Sequence, residues 1–151
     1  MNTKSVIVIL LSCLSLYFAG SVSAQIATVT DQTCTEYVGQ DCAGTRGQGC
    51  NGVGFEVPER GMYQLKATMD ECGTALMCES CLSVAYIYQG TTLIGCVHNA
   101  CGGSCIGAAI NCLLLEDTPY TLYSCKLDCD GSCGCPGSCT ARATVTGPLD
   151  K

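Results

Sequence analysis

The sequence has no tryptophan, a single histidine (His98), and 7 Lys+Arg against 13 Asp+Glu. Each scarcity removes a class of function. The few basic residues form no cluster, and gripping a phosphate backbone or an anionic lipid surface needs Lys and Arg to replace counterions. Nucleic acid and anionic membrane are therefore excluded as expected partners. Any Cys-His or Ser-His-Asp nucleophile would have to use His98. No nucleophile-elbow motif accompanies it, so we expect a strand-end histidine and no enzyme. Without tryptophan, the tyrosines that face outward are the best candidates for stacking on a sugar. No apolar run can span a bilayer: the predominantly apolar stretch of residues 6–19 is fourteen positions long, short of the roughly 20 a spanning helix needs. The polar tail Gly147-Pro-Leu-Asp-Lys151 excludes a GPI-type signal.

What is present begins with export. Lys4 precedes the apolar run of residues 6–19, and Val22 and Ala24 stand at the −3 and −1 positions of a cleavage site before Gln25. This is the pattern of a secretory signal peptide over residues 1–24, and it predicts a secreted or cell-surface protein. Fifteen of the 16 cysteines lie beyond it. In an exported chain, that density means a disulfide scaffold. The candidates are Cys34, Cys42, Cys50, Cys72, Cys78, Cys81, Cys96, Cys101, Cys105, Cys112, Cys125, Cys129, Cys133, Cys135 and Cys139. Their number is odd, so at least one thiol lacks a partner in its own chain. It is either buried and free or paired with another subunit.

Along the chain, residues 25–30 alternate weakly and are rich in β-branched types, which suits a short first strand. Cys34, Cys42 and Cys50 recur every eight residues within a glycine-rich stretch, read as a loop region held by its cysteines. These residues, 25–54, are set apart from a sandwich domain over residues 55–151. In residues 61–69, Tyr63, Leu65, Ala67 and Met69 fall on one face and Gln64, Lys66 and Thr68 on the other, the period of a half-buried strand. Residues 82–88 are apolar on both faces, as a central strand would be. Residues 92–98 follow a Gln-Gly-Thr turn. Residues 106–115 accept either a helix or a buried strand. Residues 120–125 form a strand after Pro119. In residues 140–146, Ala141, Ala143 and Val145 point inward and Thr140, Arg142, Thr144 and Thr146 outward. Strands at this spacing, broken by glycine turns, predict an all-β fold: a small disulfide-rich antiparallel β-sandwich or jelly roll.

Three phrases, Gly61-Met-Tyr-Gln-Leu65, Leu82-Ser-Val-Ala-Tyr-Ile-Tyr88 and Leu115-Glu-Asp-Thr-Pro-Tyr-Thr-Leu-Tyr123, resemble the strand grammar of bacterial pre-peptidase C-terminal domains. The resemblance covers roughly residues 55–146. It implies a jelly-roll module of the kind appended to secreted proteins for binding or targeting. Two features depart from that family: the twelve cysteines between Cys72 and Cys139, and Glu116-Asp117 in place of a small residue and glycine.

Four motifs bear on chemistry. Cys78-Glu-Ser-Cys81 has dithiol spacing, but a strand follows and no basic neighbour lowers a thiolate pKa, so structural bridging is expected. The cysteines from Cys125 to Cys139 lack the paired knuckles of a zinc site. Asp128-Cys-Asp-Gly131 imitates the start of a calcium loop, but its glycine comes too early and Cys139 occupies the place of the bidentate Glu. Asp128 and Asp130, with Glu116 and Asp117, remain candidates for irregular calcium binding, and no metal or cofactor is expected. Asn99-Ala-Cys101 is a rare-form glycosylation sequon.

The leading expectation is a non-enzymatic secreted structural or assembly protein, a subunit of an extracellular filament, coat or matrix. Its short N-terminal strand would add to a neighbour's sheet edge. The alternatives are a secreted binding module for a carbohydrate or protein surface, and a small cysteine-rich inhibitor or effector. Partners would be other copies of the chain, or an extracellular protein or glycan.

Overall fold

The computed structural model of the protein describes residues 23–36, 42, 49–70, 81–98, 107–128 and 139–149. The regular structure among these residues is entirely β. The strands are β1 (Ala24–Asp31), β2 (Cys34–Glu36), β3 (Asn51–Phe55), β4 (Gly61–Asp70), β5 (Cys81–Gln89), β6 (Thr92–His98), β7 (Ala108–Leu114), β8 (Tyr120–Asp128) and β9 (Thr140–Gly147). They form a sandwich of two sheets. Sheet A has the order β1-β9-β4-β7 and is antiparallel throughout. Sheet B has the order β2-β8-β5-β6, with β3 sharing the β8 edge. Its pairs are antiparallel except for the short β2, which runs parallel to β8 at Cys34↔Lys126.

The period of two in β4 decides its orientation. Tyr63, Leu65, Ala67 and Met69 are buried, and the residues between them are half-buried or exposed. Ala141, Ala143 and Val145 of β9 oppose Met69, Ala67 and Leu65 in register. Against these, sheet B presents Ala85 and Ile87 of β5, Val97 of β6, and Tyr120 and Leu122 of β8. Removing a large apolar side chain of this set from water contributes about 1.5–3 kcal/mol.

One end of this interior is polar. Asp31, Ser83, Ser124 and Lys126 are all buried. The Lys126 backbone N–H and the Thr33 N–H (3.0 Å) both donate to the Asp31 carboxylate. Lys126 Nζ donates to the Gln32 carbonyl. These bonds tie the end of β1 to β8, some 95 residues away. Burial raises the Asp31 pKa above its ordinary 3.8; the two N–H donors and the nearby Lys126 charge oppose that rise.

Two expectations from the sequence change here. β1, β2 and β3 belong to the two sheets, so the division at residue 55 does not separate two packing units. Within the region read as a cysteine-held loop, Asn51–Phe55 is a strand along β8 in unbroken register. The first strand is the outer strand of sheet A, with no strand on its far side among the described residues. It is hydrogen-bonded along β9, and Asp31 at its end is fully buried. The ambiguous residues 106–115 resolve as strand β7: its side chains alternate between half-buried or buried and exposed, a period of two that a helix would not produce.

Candidate functional site

Sheet A ends at β7. One side of this strand pairs with β4 in continuous register from Gly61↔Leu114 to Ala67↔Ala108. Among the described residues no strand lies on its other side. Cys112 and Leu114 point into the sandwich, with Ala108 and Ile110 packed beside them, while Ala109, Asn111 and Leu113 face out. Leu113 is 50% exposed, its register partner Met62 is 42% exposed, and Leu115 is 44% exposed.

Met62 and Leu113 also line a groove of about 600 Å³, completed by Pro148 and Leu149, with Glu59 and Arg60 at its rim. The Leu149 N–H donates to the Met62 carbonyl at 2.7 Å, which holds the chain leaving β9 against the start of β4. Gly147 allows that exit. Its φ is +151°, and a Cβ there would meet the Tyr63 ring at 2.6 Å. Scattered apolar residues on a surface need no explanation, but Met62 and Leu113 form one exposed apolar pair at this groove. The sequence signal for it was Leu113-Leu-Leu115. Three successive large apolar residues in a strand cannot all face inward, so at least one must be presented outside. Met62, Pro148 and Leu149 carried no such signal, because their proximity is made by the fold.

The cysteines occupy a different surface. Cys96 and Cys125 lie on the face of sheet B turned away from the interior. There they join Leu82, Val84, Tyr86 and Leu127 in a second buried cluster, flanked by Cys50, Tyr88 and Tyr123. Cys42 is bonded to Cys96 (Cα–Cα 5.5 Å) and Cys50 to Cys125 (4.6 Å). Tyr123 meets Tyr88 edge-on at 5.9 Å, and Tyr86 lies 6.1 Å from Tyr88. Of the described tyrosines, Tyr63, Tyr86 and Tyr120 are buried, and Tyr88 and Tyr123 are half-buried beside bonded cysteines.

Cys81 and Cys139 are also disulfide-bonded. Cys112 is not. It is a free, buried thiol, which corrects its place among the disulfide candidates. It faces the sandwich interior from sheet A, and its Sγ fills the space that a side chain at Gly95 would need. The bonded Cys50, Cys96 and Cys125 gather on the far side of sheet B. Burial pushes the Cys112 thiol pKa up, away from the reactive thiolate.

Cys34 opens β2, Asp128 closes β8, and His98 closes β6. Glu116 and Asp117 form the exposed turn before β8, with Asp117 at φ +53° and the Thr118 hydroxyl donating to the Glu116 carbonyl. Asp130 and Cys72, Cys78, Cys101, Cys105, Cys129, Cys133 and Cys135 lie outside the described residues, as does the Asn99 sequon. Compared with known proteins, the chain matches no family model and no curated sequence.

Proposed function

We propose that this chain is a structural, non-catalytic protein of the extracellular space: a disulfide-hardened sandwich that serves as a subunit of a filament, coat or matrix. The single observation that carries this reading is the β7 edge with its apolar border of Met62, Leu113 and Leu115. Among the described residues no strand takes up the outer row of β7 backbone N–H and C=O groups; such a row beside exposed leucines is a template for another chain, and folded proteins ordinarily disguise it. The bonded cysteines support the extracellular part of the proposal, since disulfides persist in oxidising compartments. They also favour durability, because each bridge typically contributes about 2–4 kcal/mol. Cleavage before Gln25 would leave the whole of the described sandwich except Ser23 and Ala24.

The test is negative-stain electron microscopy with sedimentation velocity on the purified, oxidised protein over rising concentration. Ordered oligomers or fibres are expected. A monomer under every condition would remove the proposal.

A further inference from the structure

Among the described residues the two sheets present four edges, and three of them carry devices that discourage pairing. The β1 edge has a bulge between Gln25 and Ala27. The β6 edge has an irregular register against β5 at Ile87/Tyr88, and Cys96 within it is bridged to Cys42. The edge beside β8 is divided between strands of three and five residues. Bulges, short strands and charge are the usual protections. β7 has none of them. It is seven residues long, reads Ala-Ala-Ile-Asn-Cys-Leu-Leu, and keeps an unbroken register with β4. It also lacks charge in a chain whose net charge is −6. Like-charged copies repel everywhere except where no charge is presented, and β7 is such a place.

We infer that two copies of the chain pair through β7, antiparallel about a two-fold axis at Asn111, and join two four-stranded sheets into one continuous sheet. This rests on the assembly reading and names one of its contacts; an isologous pair closes on itself, so a fibre needs a second contact as well. The strand is self-complementary about that residue. Reflection places Ala109 opposite the partner's Leu113 on the outer face, and Ala108 opposite the partner's Leu114 on the inner face. Each alanine leaves room for the leucine it meets. Ile110 falls opposite the partner's Cys112, and Asn111 meets its own copy across the axis with its amide free to hydrogen-bond. An isologous contact of this kind needs one surface patch to match itself, which this sequence does. The half-exposed Leu113 is covered in the process. The contact is not covalent. The two Cys112 residues sit diagonally, about 7–8 Å apart by ordinary sheet geometry, beyond the reach of a disulfide.

Sedimentation of the oxidised protein decides the matter, with two variants. Asn111→Lys places like charges face to face on the axis and should halve the sedimenting mass while leaving the melting temperature of the fold nearly unchanged. Asn111→Cys puts two thiols directly opposite each other. It should give a covalent dimer on mild oxidation that a reductant separates, whereas Thr144→Cys, in β9 of the same sheet, should not. If the unaltered protein assembles but Asn111→Lys leaves its mass unchanged and Asn111→Cys fails to crosslink, the β7 contact is wrong and the assembly reading survives. If the unaltered protein is a monomer throughout, both are wrong.

Discussion

Sheet A and sheet B share one interior but treat their outer faces in opposite ways. Away from the Met62 and Leu113 border, the outer face of sheet A is polar: Gln64, Lys66 and Thr68 of β4 and Arg142, Thr144 and Thr146 of β9 are half-buried or exposed, with an ion pair between Arg142 and Asp70. The outer face of sheet B is a second core. Leu82, Val84 and Tyr86 are buried there as completely as Ala85 and Ile87 are on the inner face. Sheet A is held by side-chain packing on one face alone. Sheet B is packed on both, and its outer side is closed by Cys42–Cys96 and Cys50–Cys125. The two bridges whose partners are both described lie on the sheet that buries both faces.

That contrast can be broken most forcefully at Tyr86. If the outer cluster is a true core, Tyr86→Ala should cost about 3–5 kcal/mol, as much as Tyr63→Ala inside, read from urea unfolding midpoints. A loss under 1 kcal/mol would show the outer face to be solvated. Next is the bridge itself. Replacing Cys50 and Cys125 together by serine should cost about 2–5 kcal/mol, whereas Thr144→Ser on sheet A should stay within about 0.5 kcal/mol. Equal losses would erase the difference between the sheets.

A smaller effect tests how sheet A meets sheet B. Gly95→Ala drives a Cβ into the Cys112 sulfur and should cost about 1–3 kcal/mol. Combining it with Cys112→Ala should recover part of that loss, and strict additivity of the two would show that they do not touch.

The smallest effect concerns Asp31, which binds its proton more tightly in the fold than in the unfolded chain. Its stabilising contribution is complete below pH 3.8 and is lost as pH rises through the higher folded value. The unaltered protein should therefore lose stability relative to Asp31→Asn between acid and neutral pH. A difference that stays constant with pH, or moves the other way, would mean that burial does not govern this carboxylate.

Much of the fold was legible in the residues. The alternation of β4 and β9 reports one buried face each, because side chains in a strand point to opposite sides in turn. The unbroken apolar run of β5 reported a strand covered on both faces. Residues 106–115 were not legible, because short apolar stretches rich in Ala and Leu suit either period. Nor could Cys112 be singled out as a free thiol, since spacing carries no information about which face of which sheet a sulfur will occupy. The β7 edge was half visible: Leu113-Leu-Leu115 announces a protruding leucine, but whether a strand lies inside a sheet or at its rim is a property of strand order.

The residues alone determined the all-β class, the face each strand buries, and a chemistry dominated by sulfur, all of which follow from local periodicity and composition. Tertiary structure decided which cysteines meet, that Cys112 stays reduced against Gly95, that β1 is engaged with β9, and that β7 is left at the rim. Those outcomes depend on contacts between residues distant in sequence, 54 apart for Cys42 with Cys96 and 75 apart for Cys50 with Cys125. Only closure of the two sheets on one another selects such contacts.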